Sequence, residues 1–295
     1  MNVQPPRVET PRTTFVLPFT PPYEASAALA TLAAHAIPGA EHTDLVARSH
    51  TRLFPDTAGT IAATVTFAAD HVMVTADTDA TGAARLTPVL RRWLDLDADP
   101  DAVYRTLRDD PIIGPLVVVR PGLRVIGYPD GFEAAVTTVL GQQVSVAAGR
   151  TFAGRLTAAY GVPGPGGMTV FPAPYALAAA TPDELQRAIG LTGSRARTLH
   201  SLAEACAAGL IIAPNTDHAE VRRRLLALHG IGPWSADYLA VRVLGDRDAF
   251  VPGDLVLRKA LGGITAKQAE IASAAWSPVR AYALFQLWTA TAYAA

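Results

Sequence analysis

The stretch that most restricts how this chain can fold is 225–261, LLALHGIGPWSADYLAVRVLGDRDAFVPGDLVLRKAL. An apolar helical pattern runs into Gly230-Ile231-Gly232, and Pro233 stands where a second helix begins, a place proline favours because its missing N–H would have no partner there. The pattern is a helix-hairpin-helix, expected over about 218–244. Glycines in the turn let the backbone bend tightly and approach a ligand, while the amides that open the second helix face outward with the positive end of its dipole. An anion can seat there without any lysine. A Gly-Ile-Gly between helices is also what an ordinary tight turn looks like, so its neighbours decide its meaning.

Trp234, Ala236 and Tyr238 follow on the second helix, which, if it reaches about Leu244, is roughly 15 Å long. A short loop at 245–248 then returns the chain, so that Asp254 in Phe250-Val251-Pro252-Gly253-Asp254 faces the groove of the hairpin. Asp254 is expected to N-cap a helix at 255–261. A helix start favours negative charge, which suits a carboxylate that must stabilise a positive charge. Aromatic side chains on amphipathic helices are ordinarily core. Their concentration beside a Gly-Asp helix start makes the segment 250–261 a candidate site.

The rest of the chain divides by its periodicity. Segments 13–19, 43–53, 60–67 and 71–75 are short, rich in Val and Thr and bounded by turn residues, which predicts strands. An Ala- and Leu-rich helix at 23–36 stands between the first two and ends before Pro38-Gly39. From Pro88 onward apolar residues recur at helical spacing, over 88–94, 100–108, 132–160, 174–180, 182–190, 194–208 and 218–228. A Pro- and Gly-rich loop at 162–168 (VPGPGGM) is expected to lack regular structure. The expectation is an α+β fold: a flexible lead-in at 1–12, a small antiparallel-sheet unit at 13–87, and a mostly helical body at 88–295. Fewer than about 15 residues precede the first strand, too few for an appended regulatory domain.

Half of the residues are apolar, yet no apolar run approaches the roughly 18 needed to cross a bilayer, and no secretory signal is visible. A cytoplasmic protein with no membrane association is expected. Cys206 is the only cysteine, which excludes a disulfide framework, a cysteine-based zinc site and a four-cysteine iron–sulfur cluster within these residues. The net charge of -1 does not advertise a polyanionic partner. Its distribution is lopsided: residues 1–119 hold 9 basic and 14 acidic groups, and residues 120–295 hold 16 and 12.

The hairpin and its Gly-Asp segment resemble the signature of the helix-hairpin-helix base-excision glycosylase superfamily, and within it the bacterial DNA-3-methyladenine glycosylase II family. The likeness extends to Pro21-Pro22-Tyr23, Arg120-Pro121-Gly122-Leu123-Arg124, Gly131-Phe132-Glu133, Leu140-Gly141-Gln142-Gln143-Val144-Ser145-Val146, and Arg280-Ala281-Tyr282-Ala283-Leu284 with Trp288, so it covers nearly the whole chain. The resemblance implies a mostly helical glycosylase body that flips an alkylated purine out of duplex DNA and hydrolyses its bond to the sugar. By the same resemblance Asp254 is the catalytic carboxylate, and Trp234, Tyr238 and Trp288 line the base pocket. A cationic base stacks favourably on such faces and leaves easily, and the protein then needs an anion near the sugar's oxocarbenium-like transition state.

Gly230, Ile231, Gly232 and Ser235 are implied DNA contacts, and Gln143 takes the place of the wedge that fills the vacated stack. Members with lyase activity carry a lysine two residues beyond the Gly-x-Gly, where this chain has Trp234. Its only lysines are Lys259 and Lys267, so no Schiff base and no strand cutting are expected. Leu255 and Thr31 stand where relatives present aromatics, which implies a roomier pocket. The resemblance also implies that carbonyls of Leu226, Leu228 and Ile231 hold a structural monovalent cation, with no cofactor required for the chemistry. Damaged double-stranded DNA is the implied partner, and no obligate protein partner is apparent. Two rivals stand beside this reading: a non-catalytic DNA-binding or damage-sensing protein, and a glycosylase for oxidised guanine.

Overall fold

The computed structural model describes residues 11–57 and 59–291, so most of the expected lead-in lies outside the described residues. The first half is built on β1 (Thr13–Pro18), α1 (Ala25–His35), β2 (Glu41–Asp44), β3 (Ser49–Asp56), β4 (Gly59–Phe67) and β5 (His71–Ala76). The strands form one antiparallel sheet in the order β1-β5-β4-β3-β2. Period-two alternation puts Val65, Val72, Val74 and Ala76 on the buried face, with Leu86, Leu90 and Trp93 of α2 (Ala80–Trp93) in the same core. The segment 43–53, expected as one strand, is two: a turn at 45–48, held by the Asp44 carboxylate accepting from the Val46 and Ala47 amides, folds β2 back on β3.

The helix expected from Pro88 begins eight residues earlier, where the Asp79 carboxylate accepts the Gly82 amide at 2.8 Å. The division expected after residue 87 therefore falls inside α2. There follow α3 (Pro100–Leu107), α4 (Gly114–Val119), α5 (Gly131–Gly141) and α6 (Val146–Tyr160). The single helix expected over 132–160 is interrupted at 142–145. The loop expected to lack regular structure contains a small hairpin, β6 (Val162–Pro163) against β7 (Thr169–Val170), because Gly166 and Gly167 supply two consecutive positive φ angles.

Beyond lie α7 (Pro174–Ala178), α8 (Pro182–Ile189), α9 (Gly193–Ala207), α10 (His218–Leu226) and α11 (Pro233–Leu239), the last prolonged by a π-helical turn at Ala240–Leu244. The chain closes with α12 (Leu255–Ala260), α13 (Ala266–Ser273) and α14 (Arg280–Thr291).

Two apolar cores result. One joins the sheet to α2, α4 and α14, and the other packs α5, α6, α8, α9 and α10 together. Helix α11 belongs to both: Tyr238 sits in the first and Leu239 in the second. The hairpin's second helix is thus the seam of the molecule. A buried ion cluster also crosses between the halves, with Arg52 on β3 bonded to Glu41 on β2 (2.7 Å) and to Glu133 on α5 (2.6 Å). Burial nevertheless pushes the Glu133 carboxyl up to about 7.

Candidate active site and DNA-binding hairpin

The hairpin forms where the sequence places it, but its two glycines differ in purpose. Gly230 has φ +80, and a Cβ there would lie 2.0 Å from the Thr198 hydroxyl, so both conformation and contact demand glycine. Gly232 is extended (φ -101, ψ 178), with open space where a Cβ would go. It N-caps α11 and leaves room outside the helix start. The first amide satisfied within the helix is that of Ala236, on the Gly232 carbonyl at 3.2 Å, so the amides of Trp234 and Ser235 precede the ladder.

At two of the expected contacts the side chain is turned inward. The Ser235 side chain is buried and accepts from Gln142 Nε2 at 3.1 Å, so only its backbone is placed to meet a phosphate. Ile231 is likewise buried, its side chain an anchor for the turn.

Gln142, which sequence reasoning passed over, also donates to the Gly230 carbonyl at 3.0 Å, while Arg195 donates to the carbonyl of Gln142. The turn between α5 and α6 is thereby fastened to the hairpin. Its tip is Gln143, exposed and held at φ +57, a left-handed conformation that costs a non-glycine residue about 1–3 kcal/mol.

Asp254 caps α12 as expected: Oδ1 accepts the Leu257 amide at 2.8 Å. The carboxylate is buried, and two indoles also donate to it, Trp288 Nε1 to Oδ1 at 3.0 Å and Trp234 Nε1 to Oδ2 at 3.1 Å. All three donors are neutral, so they orient the carboxylate without cancelling its charge. Beside it opens a cavity of about 250 Å³, lined on one side by Trp234, Tyr238, Asp254, Val256 and Trp288. Trp234 and Tyr238 stack with ring centres 5.2 Å apart and planes at 16°, and Trp288 follows at 5.8 Å from Tyr238. Behind Tyr238 lies buried Arg242, which donates to its phenol at 2.7 Å.

The cavity therefore brings together the four residues expected of it, and adds His35 from α1, Thr137 and Thr138 from α5, Arg150 from α6, and Tyr128. No local motif marks these, because they come from segments remote from the hairpin. Thr31 is buried, with its hydroxyl on the Ala27 carbonyl, and Leu255 is exposed; neither lines the cavity.

A helix-hairpin-helix followed by a helix-capping aspartate over an aromatic cavity defines a base-excision DNA glycosylase fold and site. An AlkA N-terminal domain profile matches residues 14–130, and a profile for the HhH-GPD superfamily of base excision DNA repair proteins matches residues 136–279. The chain belongs to this superfamily and, within it, to the family of DNA-3-methyladenine glycosylase 2. It is 32% identical to the Escherichia coli (strain K12) protein of that name over 93% of this chain and 96% of the relative. It is also 39% identical to a probable bifunctional transcriptional activator/DNA repair enzyme AlkA of Mycobacterium tuberculosis, covering 92% of this chain but only 56% of that relative's length. Among solved structures, 3-methyladenine DNA-glycosylase from Archaeoglobus fulgidus has the same fold (TM-score 0.82, 19% identity, 93% of this chain and 97% of that one).

Proposed function

We propose that this chain is a monofunctional DNA glycosylase that binds damaged duplex DNA, extrudes an alkylated purine into the cavity beside Asp254 and hydrolyses its N-glycosidic bond. The observation that carries the reading is the Asp254 carboxylate, buried at the wall of an aromatic cavity and held by three neutral donors. Water adds to the sugar's anomeric carbon as the base departs with the electrons of the broken bond, and the proton that the added water loses passes to solvent. The fixed anion of Asp254 opposes the positive charge that develops on the sugar. Its lone pairs are largely taken up by the indoles and the Leu257 amide, which favours this electrostatic role over proton abstraction. Neither Lys259 nor Lys267 lines the cavity, in keeping with hydrolysis without strand cutting.

The phosphate-gripping surface is the turn at Gly230 to Gly232 with the leading amides of α11, and Gln143 is the wedge. Its strained, exposed position at the tip of a turn tied to the hairpin supports that role. Carbonyls of Leu226, Leu228 and Ile231 can hold a monovalent cation there. The last turn of a helix leaves carbonyls such as that of Leu226 without an intrahelical partner. The Leu228 carbonyl accepts one bond, from Ile231 N at 3.2 Å, which leaves a lone pair.

A solved relative in fold, Mag1 of Schizosaccharomyces pombe, is in complex with abasic DNA (TM-score 0.53, 22% identity, 66% of this chain and 99% of that one). Among the described residues no helix is long and apolar enough to cross a membrane, and action on DNA in the cytoplasm fits the reading. The test is a panel of duplex oligonucleotides, each with one lesion, scored for free-base release. Binding of damaged duplex without any release would leave a damage-sensing protein in its place.

A further inference from the structure

The turn that carries Gln143 is weakly held by its own backbone. Between α5 and α6 the Gln142 amide reaches the Val139 carbonyl at 3.3 Å and the Val144 amide reaches the Gly141 carbonyl at 3.5 Å, both longer than usual. Gln143 itself sits at φ +57, where a side chain is disfavoured. The turn therefore keeps its shape through partners outside it. One set is made by the Gln142 side chain, on the Gly230 carbonyl and the Ser235 hydroxyl. The other is Arg195, in the first turn of α9. Its Nη2 donates to the Gln142 carbonyl, and its guanidinium lies 5.7 Å from the centre of the Phe152 ring on α6. One turn further along the same face of α9, Thr198 backs the hairpin, its hydroxyl filling the space beside Gly230. Helix α9 thus braces the Gln143 turn and the hairpin together.

We infer that Arg195 is a positioning residue for base extrusion: it fixes the carbonyl that precedes Gln143, so that this side chain enters the stack from a braced turn. This rests on Gln143 being the wedge and deepens that reading. Extrusion costs unstacking and unpairing free energy, and the cost is smaller for a base that is already unpaired. A wedge offsets that cost only while its turn holds its shape against the stack. Without the Arg195 bond, the backbone at Gln143 can leave its positive φ for an ordinary conformation, and the side chain withdraws. The step at Asp254 is untouched, since Arg195 does not line the cavity. Among the described residues Arg195 bonds to no atom of the hairpin, so the phosphate grip is untouched as well.

The experiment is single-turnover excision of 7-methylguanine, placed either opposite cytosine in a full duplex or at the centre of a three-base bubble where nothing pairs with it. The ratio of the two rates is the readout, because loss of folded protein or of chemistry lowers both alike. Arg195→Met is expected to lower the duplex-to-bubble ratio about tenfold, and Arg195→Lys, which keeps a donor, should stay within about threefold of the parent ratio. Gln143→Ala, which removes the wedge, should lower the same ratio at least as much. Affinity of Arg195→Met for an undamaged duplex should stay within about twofold of the parent, with an unchanged salt dependence. A parent-like ratio in Arg195→Met beside a lowered one in Gln143→Ala overturns the role of Arg195 and leaves the wedge standing. A parent-like ratio in Gln143→Ala overturns both. Weaker binding by Arg195→Met, with a salt slope smaller by about one, makes Arg195 a direct phosphate contact and overturns the positioning role. Release of no base from either substrate by the parent overturns the glycosylase reading beneath them.

Discussion

Trp288 donates its indole N–H to the same oxygen of Asp254 that accepts the Leu257 amide, so one atom both caps α12 and is pinned by the last helix of the chain. The carboxylate's position is set by three elements, α11, α12 and α14, and not by the cap alone.

Asp254→Asn keeps the cap through its amide oxygen but turns an NH2 toward Trp234, where donor meets donor. Stability should fall by about 1 kcal/mol, the worth of one hydrogen bond. Excision should fall by about 10²–10³, or roughly 3–4 kcal/mol. Binding to damaged duplex should persist, since phosphate contacts supply it. Single-turnover kinetics and an equilibrium binding titration on the same preparation check this, and a near-parent rate would reduce Asp254 to a helix cap.

Trp288→Phe preserves an aromatic face and removes only the N–H. If the indole matters as a positioning group, the excision rate drops about tenfold while affinity for lesion duplex stays within about twofold, a split that loss of stacking would not produce. Equal losses in rate and affinity would return Trp288 to a simple pocket wall.

The turn glycines should separate by phenotype. Gly230→Ala forces a Cβ against Thr198 at a positive φ and should destabilise the fold by about 1–3 kcal/mol. Gly232→Arg has open space and an ordinary φ, so it should fold normally and weaken binding to duplexes of any sequence. Thermal melts and binding to an undamaged duplex read the two effects; parent-like affinity in Gly232→Arg would take the hairpin out of the interface.

Abasic sites should form without strand breaks until alkali or heat is applied. A covalent adduct trapped by borohydride would contradict the absence of lysine from the cavity.

Acid stability follows from buried titratable groups. His35 and His50 are both lowered to about 3 from 6.5, chiefly by burial, so each contributes stability that is complete above pH 6.5 and is lost as the pH falls toward 3. Glu133, raised from 4.5 to about 7, acts in the opposite sense: its contribution is complete below 4.5 and fades as the pH rises through 7. Asp95 and Asp237, both raised above 3.8 chiefly by burial, act in the same sense as Glu133. His50→Gln removes one of the two groups that lose stability on acidification, so the variant should lose less stability than the parent, or gain more, between pH 6.5 and 4.5. Denaturant titrations of both proteins across this window test it, and a variant with the parent's pH dependence would contradict the His50 assignment.

The architecture was legible wherever one local signal dominated. The four Val- and Thr-rich runs announce the sheet, and Gly230 through Asp254 announces the hairpin with its capping aspartate. The double turn at 45–48 was not, because Leu45 and Val46 look like strand residues and only the Asp44 side chain makes them a turn. The early start of α2 was hidden by Gly82 and Thr81, weak helix formers rescued by the Asp79 cap. At the site, the aromatics and Asp254 could be found from their shared segment. Arg150, His35 and Gln142 could not, since each acquires its meaning only through partners remote in sequence, such as Gly230 for Gln142 and Ala36 for Arg150.

Gln142 grips the hairpin with its side chain while Arg195 holds its carbonyl, so the Gln143 tip stands at a set offset from the turn at Gly230 to Gly232. Under the proposed function, this makes the protein a fixed gauge. A duplex laid on the hairpin is pressed at one step by a probe that does not yield. A well-stacked pair resists the load, and a pair weakened by damage gives way. The compliance of the DNA, and not a closing motion of the protein, then decides which base reaches the cavity.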